Sequence, residues 1–536
     1  MEFHVYDTTL RDGAQQEGLN LSVADKLAIA RHLDGLGVGF VEGGWPGANP
    51  KDTEFFKRAV SELDLKHARL AAFGSTRRAG VRAADDPQVA ALRDSGASVV
   101  TLVAKSHDRH VELALRTTLA ENLAMIRDTV SHLREDGQQV FLDAEHFFDG
   151  YRANRDYAME VLRTAYEAGA EVVALCDTNG GMLPSWVSDV VHDVRETTQG
   201  AVGIHCHNDT GCAVANSLAA VEAGAMHVQG CINGYGERTG NADLVSVVAN
   251  LQLKLGREVL PAGLLADATR VAHAVAEVTN VPPAGRQPYV GASAFTHKAG
   301  LHASAIKVDP DLYQHMDPAG VGNDMRLLVS DMAGRASIEL KGRELGYDLS
   351  DDRDLVTRVT ERVKEAEQRG YTFEAADASF ELLLIEEVEG ARPAYFEVES
   401  WRVISEARGG GSEAASTTEA IVKIHADGVR HVSTGEGNGP VNALDQALRA
   451  AITRAFPVVA DFDLIDFKVR IFDQGHGTDA KTRVLIETSD GVTSWTTVGV
   501  GSNVIEASWE ALVDGLTFGL RRNVSRATSA AVVAAE

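Results

Sequence analysis

The first 250 or so residues repeat one pattern eight times, and this repetition narrows the possible folds more than any other feature of the chain. Short apolar runs at residues 3–6, 39–42, 70–73, 99–103, 140–143, 172–176, 202–205 and 228–232 alternate with amphipathic segments such as VADKLAIARHLDGLG and NRDYAMEVLRTAYEAGA. A short apolar run bounded by turn residues reads as a buried strand, and apolar residues three or four apart read as one face of a helix. Strands alternating with helices build a parallel sheet, and eight such units close into a (β/α)8 TIM barrel. An open, doubly wound sheet is the rival arrangement. The count of eight, and the polar residues that follow most of the runs, favour the barrel.

The pattern changes after residue 262, which sets a catalytic barrel at 1–262. Residues 263–372 are predicted to form helical linker subdomains, broken at NVPPAGRQPYVG, HKAGLHAS and MDPAGVGND, with a long helical pattern over 353–369. From 373 to 523 the chain reads as strand-rich: FELLLIEEV, YFEVESWRVI, EAIVKIHADG, FKVRIFD, TRVLIETSDG and SWTTVGV. Within it, TGEGNGPVNALDQALRAAI is similar to VGVGSNVIEASWEALVDGL. Gly435, Gly437, Ala443 and Leu448 match Gly499, Gly501, Ala507 and Leu512 at one constant offset. Strands that end in a glycine loop and lead into a helix, twice over, predict a duplicated βββα unit. The Gly/Ser-rich stretch 407–418 is expected to be mobile, and the Ala/Ser-rich tail 524–536 to be disordered.

A chain of 536 residues with 44% hydrophobic content exceeds one ordinary domain, and the net charge of −26 argues against nucleic acid as the main partner. It does not exclude a small anionic substrate, because a local cluster of basic groups or a metal overrides the global field. No apolar run is long enough to cross a membrane, and MEFHVYDTTLRDG has no signal-peptide pattern. The four cysteines, Cys176, Cys206, Cys212 and Cys231, form no CxxC and read as reduced thiols in a cytoplasmic protein.

In a parallel barrel the C-terminal ends of the strands carry the active site. Arg11 and Asp12 follow the first strand in DTTLRDG; Asp12 is a potential metal ligand, and Arg11 a group that holds a carboxylate or polarises a carbonyl. His205 and His207, in GIHCHNDTG, point the same way because alternate strand residues share a face, and two such imidazoles begin a divalent-metal site. Asn241, in GYGERTGNADL after strand eight, offers an amide oxygen to the same metal. Glu145, in LDAEHFF after strand five, is a candidate base, with Asp143 and His146 as alternatives. Thr178, in LCDTNGG after strand six, is positioned to hold a substrate carboxylate. His297 and His302, in THKAGLHAS, lie beyond the barrel and suit a histidine that completes a site from another element. Taken singly, each also has an ordinary structural reading as a turn former, helix cap or rim residue. The glycine loops GEGNG and GVGSN lack the dinucleotide and P-loop signatures, so no nucleotide site is assigned to them.

Together, DTTLRDGAQQEG, HCHNDTGCAVANSLAAVEAGA and QGCINGYGERTGNADL resemble the two signature regions of the isopropylmalate synthase, homocitrate synthase and citramalate synthase family. The duplicated C-terminal unit resembles that family's regulatory dimerisation domain. VEGGWPGANPKD and the ending AQQEG resemble the citramalate synthase branch. The resemblance implies a homodimeric acyltransferase that condenses acetyl-CoA with a 2-oxo acid, pyruvate in that branch, as the first step of a threonine-independent isoleucine pathway. It implies a divalent metal (zinc, manganese or magnesium) on Asp12, His205 and His207, with Asn241 in or beside the shell. It further implies that Arg11 stabilises the developing oxyanion, that Thr178 binds the carboxylate, that Glu145 helps remove the methyl proton, and that His302 and Tyr313 act from a partner subunit. An end-product amino acid, isoleucine or leucine, is the expected ligand of the C-terminal domain. Isopropylmalate and homocitrate synthase differ from this reading in the keto-acid pocket. A barrel lyase such as hydroxymethylglutaryl-CoA lyase shares the metal site but usually lacks the C-terminal unit, and a non-catalytic amino-acid sensor has no need of Arg11, Asp12, His205 and His207.

Overall fold

The structure, a computed structural model, describes residues 3–330, 332, 334–408, 415–472 and 480–533. It divides into two compact units, Met1–Phe295 with Met316–Met325, and Thr296–His315 with Arg326–Glu536.

In the first unit each predicted run falls on one strand: β1 (His4–Asp7), β2 (Phe40–Gly44), β3 (Arg69–Ser75), β4 (Val99–Lys105), β5 (Gln139–Glu145), β6 (Val172–Asp177), β7 (Ala201–Cys206) and β8 (His227–Gly230). All pair in parallel, and β8 returns to β1 with Gln229 opposite Tyr6, closing the barrel. The open-sheet alternative is thereby excluded. Local signals place the helices between strands. Ser22 and Asp25 form a reciprocal capping box ahead of helix Val23–Leu36, which ends at Gly37 in the left-handed region. Asn154 caps helix Arg155–Ala168, and Gly169 ends it in the same way.

Alternation along the strands creates two cores. Residues such as Val41, Leu102, Leu142, Val173 and Ile204 face outward and pack against the helices. Tyr6, Phe40, Ala71, Val99, Phe141 and Val172 face inward and form a layer of the barrel interior. Two residues further along each strand the inward positions become Glu42, Phe73, Thr101, Asp143 and Ala174. The interior thus turns polar towards the C-terminal ends, which is where the chemistry of such a barrel is placed.

In the second unit the short strands β9 (Thr296–His297) and β10 (Arg326–Leu327) pair in parallel. Helices Arg335–Glu344, Arg353–Arg369 and Asp377–Glu389 share a core of Val329, Ile338, Val356, Val359, Val363 and Phe380. FELLLIEEV, expected to be a strand, is part of the last of these helices. Its apolar run is buried on several sides, so no helical period shows, while Phe, Leu and Glu are compatible with helix and β-branched residues are few. The sheet β11 (Phe396–Arg408), β12 (Ala415–Ala426), β13 (Val429–Gly437) leads into helix Pro440–Ile452. The sheet β14 (Asp463–Ile471), β15 (Thr482–Ser489), β16 (Ser494–Gly501) leads into helix Val504–Val533.

The duplicated βββα unit is therefore present, and the repeated glycines have one physical cause. A Cβ on Gly435 would lie 2.6 Å from the Ala443 carbonyl oxygen, and one on Gly499 would lie 2.0 Å from that of Ala507. A Cβ on Gly437 would meet the Ala443 nitrogen at 2.6 Å, and one on Gly501 the Ala507 nitrogen at 2.8 Å. In both copies the helix backbone lies directly on the last strand, and no side chain fits between them. β13 was not among the predicted strands because only Ser433 and Gly435 of it are buried, so no apolar alternation marks it. Residues 409–414 of the Gly/Ser-rich stretch lie outside the described residues. The tail, expected to be disordered from residue 524, instead continues the last helix to Val533; alanine, frequent there, is the strongest helix former.

Candidate active site

β1 ends at Asp7, and the chain then folds tightly over one carbonyl. The Thr8 oxygen accepts the N–H groups of Arg11, Asp12 and Gly13 at 3.2, 2.9 and 3.0 Å. Asp7 braces this turn by accepting from the backbone nitrogen and the hydroxyl of Thr9, each at 2.8 Å. Burial pushes the Asp7 carboxyl up to about 7 despite these bonds. The turn sets Arg11 and Asp12 at the rim of a cavity of about 320 Å³, which Phe73, Val103, Asp143, Glu145, Cys176, Thr178, His205 and His207 also line.

Among the described residues, Asp12, His205 and His207 form the one group of three His, Cys, Asp or Glu side chains close enough to hold a metal ion, with ligand atoms all within 4.8 Å of one another. His205 Nε2 lies 3.3 Å and His207 Nε2 3.9 Å from Asp12 Oδ2. Asn241 pairs with His207 through an isolated antiparallel bridge. Its Nδ2 donates to the Tyr235 carbonyl at 3.0 Å, which turns the amide oxygen away. Gly236 makes room for that amide, since a Cβ there would lie 2.4 Å from Asn241 Nδ2. Asp12 Oδ1 and Asn241 Oδ1 are both buried with no hydrogen-bond partner. Buried acceptors without donors are costly. Two imidazoles, a carboxylate and an amide oxygen are a donor set that a divalent cation satisfies, so the residues present fit a metal.

The charges agree with this. Burial would raise the Asp12 carboxyl, but the Arg11 guanidinium, followed by His205 and His207, outweighs it and holds Asp12 well below the usual carboxylate range. Burial, then the neighbouring His205, lowers His207 to about 4, so its ring is neutral and free to ligate.

Arg11 is held from two further sides. Its Nε donates to Glu42 Oε2 at 2.6 Å, and its guanidinium lies 3.9 Å from the centre of the Phe73 ring. Glu42 in turn accepts from the Tyr6 hydroxyl at 2.8 Å. Glu145 ends β5 and is ion-paired with Lys105. Thr178 accepts the His146 N–H at 2.8 Å, which leaves its hydroxyl hydrogen available to a ligand. Asp143 stands one pleat below Glu145; burial, then the charge of Glu42, raises it to about 6. His146 adopts φ 57, and burial lowers it to about 4.

The cavity therefore brings together Arg11, Asp12, Glu145, Thr178, His205 and His207, with Asn241 beside His207. His302 and Tyr313 belong to the second unit, where their rings stack at 4.1 Å. The His297 and His302 rings are 6.1 Å apart and share no third ligand among the described residues. Sequence reasoning missed Glu42, Lys105 and Gln229. The available signal was a charged or amide residue at an inward strand position in an otherwise apolar run.

Residues 2–275 match the family model described as HMGL-like, residues 289–371 the homocitrate synthase post-HMGL domain-like model, and residues 374–520 the LeuA allosteric (dimerisation) domain. The chain is 68% identical to the (R)-citramalate synthase of Streptomyces coelicolor, covering 97% of each chain. It is 49% identical to the (R)-citramalate synthase of Synechocystis sp. over 96% of each chain. It is 48% identical to that of Aquifex aeolicus, over 97% of this chain and 98% of that one.

Proposed function

The chain belongs to the (R)-citramalate synthase family, and from that premise we propose that its barrel cavity joins acetyl-CoA to pyruvate and releases CoA and (R)-citramalate. The observation that carries this reading is the convergence of Arg11 with the Asp12, His205 and His207 triad on one small cavity.

Asp12, His205 and His207, with Asn241 in or beside the shell, would hold a divalent cation (zinc, manganese or magnesium), which would supply Lewis acidity to the bound 2-oxo acid. Arg11 directs N–H donors at the carbonyl oxygen, which becomes an alkoxide as the new bond forms. Its pairing with Glu42 and its seat on Phe73 keep the guanidinium in place beforehand. Thr178 donates its hydroxyl hydrogen to the substrate carboxylate. Glu145 accepts a proton from the acetyl methyl group, and Lys105 holds that carboxylate at the cavity wall. The resulting carbon nucleophile adds to the ketone, the alkoxide takes up a proton equal to the one removed from the methyl group, and water then cleaves the thioester to carboxylate and free thiol with release of one proton. Phe73 and Val103 on the apolar wall suit a methyl group. The partner's His302 and the partner's Tyr313 complete the site in a homodimer. A row of exposed apolar residues on β14 (Ile465, Phe467, Val469 and Ile471) supports self-association.

This reading is tested by thiol release from acetyl-CoA with a panel of 2-oxo acids. Pyruvate is expected to give the highest kcat/KM. Preference for 2-oxoisovalerate or 2-oxoglutarate would overturn the choice of substrate, although not the reaction class.

The same reading gives the C-terminal unit an end-product amino acid as ligand and the enzyme a place in isoleucine synthesis; four free cysteines fit a cytoplasmic setting. A cavity of about 610 Å³ there is walled by Val459, Phe462, Leu464 and Phe467 and contains the Asp445–Arg449 pair at 2.7 Å. An apolar wall beside one carboxylate and one guanidinium suits a branched aliphatic amino acid. The full-length chain is expected to be inhibited by isoleucine or leucine. Leu464→Trp, which fills the cavity, is expected to weaken inhibition at least about tenfold, a loss of roughly 1.4 kcal/mol, without changing the uninhibited rate. Unaltered inhibition in this variant would remove the assignment.

A further inference from the structure

Gln229 is fully buried on β8, and its amide has three polar neighbours. Its Oε1 lies 2.8 Å from His205 Nδ1. Its Nε2 lies 2.8 Å from Asp143 Oδ1 and 3.3 Å from His227 Nε2. An amide nitrogen carries two hydrogens and accepts nothing, whereas the oxygen accepts and donates nothing. Turning the amide over would set its oxygen against the Asp143 carboxylate and its N–H groups against His205. With the nitrogen facing two acceptors, the oxygen is left to accept from His205 Nδ1. The proton of a neutral His205 then sits on Nδ1, and the lone pair sits on Nε2, the atom 3.3 Å from Asp12 Oδ2.

In a neutral His205 these two lone-pair atoms face each other at 3.3 Å, and a divalent cation bound between them would take the place of the proton that a charged His205 shares with Asp12. His227 can accept at Nε2 when its own hydrogen is on Nδ1, which faces His4 Nδ1 at 3.4 Å. Its ring fits inside the barrel because β7 carries Gly203 alongside; a Cβ there would come within 2.8 Å of His227 Cδ2. The usual occupants of such interior positions are Val, Ile and Leu, so a His and a Gln on successive inward positions are a departure that packing alone does not require.

We propose that Gln229 is a positioning residue, clamped by Asp143 and His227, which fixes His205 in the Nδ1–H tautomer and so presents Nε2 as a ligand. The inference rests on the reading of Asp12, His205 and His207 as metal ligands. It also assigns Asp143 an anchoring task, which leaves Glu145 as the carboxylate available for proton abstraction. Partners one bond removed from a metal commonly change its affinity by about 10–100-fold when lost.

The test uses the full-length chain and Mn²⁺ alone as the probe. Gln229→Met keeps length and bulk but removes all three hydrogen bonds, and its Mn²⁺ affinity is expected to fall by about 10–100-fold. The double variant Gln229→Glu with Asp143→Asn keeps an acceptor against His205 and reverses the direction of the bond to position 143. It is expected to recover most of the lost affinity. In metal-free, histidine-labelled protein, at a pH high enough to leave the His205 ring neutral beside Asp12, long-range ¹H–¹⁵N spectra are expected to show His205 as the Nδ1–H form in the wild type and as a tautomer mixture in Gln229→Met, with the His205 signal assigned by its loss in His205→Gln.

Wild-type affinity in Gln229→Met, or an equal loss in the single and double variants, would overturn the proposal and reduce Gln229 to packing. If wild type and Asp12→Asn bind Mn²⁺ alike, the ligand assignment itself fails, and the positioning role falls with it. Unlike the first outcome, that result needs no variant at position 229.

Discussion

Asp12→Asn is expected to lower turnover by on the order of 10³-fold, the equivalent of about 4 kcal/mol of lost transition-state stabilisation. The substitution is isosteric and leaves the turn intact, because the hydrogen bonds that build it run from backbone nitrogens to the Thr8 carbonyl. What changes is charge. The Asp12 carboxylate is buried between the Arg11 guanidinium at 3.2 Å and the His205 ring at 3.3 Å. Without it, a divalent cation would face two imidazoles, an amide and a neighbouring guanidinium with no compensating anion. Mn²⁺ binding, followed by calorimetry, should therefore be lost together with activity, while the thermal midpoint of the metal-free protein shifts little. A variant that retains both tight Mn²⁺ binding and turnover would show that Asp12 is a turn residue and not a ligand.

Arg11→Lys is expected to cost about 10²–10³-fold in kcat, the range found when one donor to a developing oxyanion is removed. Arg11 meets Glu42 through Nε, faces Asp12 through Nη1, and has its Cζ over the Phe73 ring. A planar fork makes these contacts at once and still presents donors to the cavity; a single ammonium cannot. Positive charge is conserved, so pyruvate binding and Mn²⁺ affinity should change far less than kcat. That split separates the two variants, since Asp12→Asn loses the metal and Arg11→Lys keeps it. Equal losses in kcat and Mn²⁺ affinity for Arg11→Lys would place its role in the metal site and not at the substrate carbonyl.

The parts of this site legible in the sequence were those governed by short-range rules. Eight apolar runs give eight strands because each strand is a local event, and strand parity alone puts His205 and His207 on one inward face. Arg11 and Asp12 were identifiable from their position directly after the first strand. Thr178 and Asn241 sat in turn sequences and do carry structural bonds, though not the ones expected: Thr178 accepts a backbone N–H from His146 across neighbouring loops, and Asn241 donates to Tyr235 while the helix that follows starts after Asp243. A sequence cannot separate that structural duty from a functional one, because the two use different atoms of the same side chain.

Glu42 and Gln229 went unnoticed because isolated polar residues in FVEGG or HVQG carry no weight until strand closure sets them opposite Arg11 or His205. The FELLLIEEV helix was misread for a related reason. A short apolar run carries no period, and the neighbours that decide its conformation, such as Val356 and Val363, lie in another helix. Nothing in the barrel pattern pointed to His302 or Tyr313; THKAGLHAS offered His302 only as a histidine completing a site from another element, and the role of Tyr313 came from family resemblance alone.

The most direct measurement of the central claim is anomalous diffraction from crystals of the full-length protein grown with Mn²⁺ and pyruvate. One strong anomalous peak per chain is expected at the barrel mouth, within ligand distance of Asp12, His205 Nε2 and His207, with the pyruvate carbonyl oxygen against Arg11. A peak elsewhere, or none at those three residues, would contradict the metal assignment.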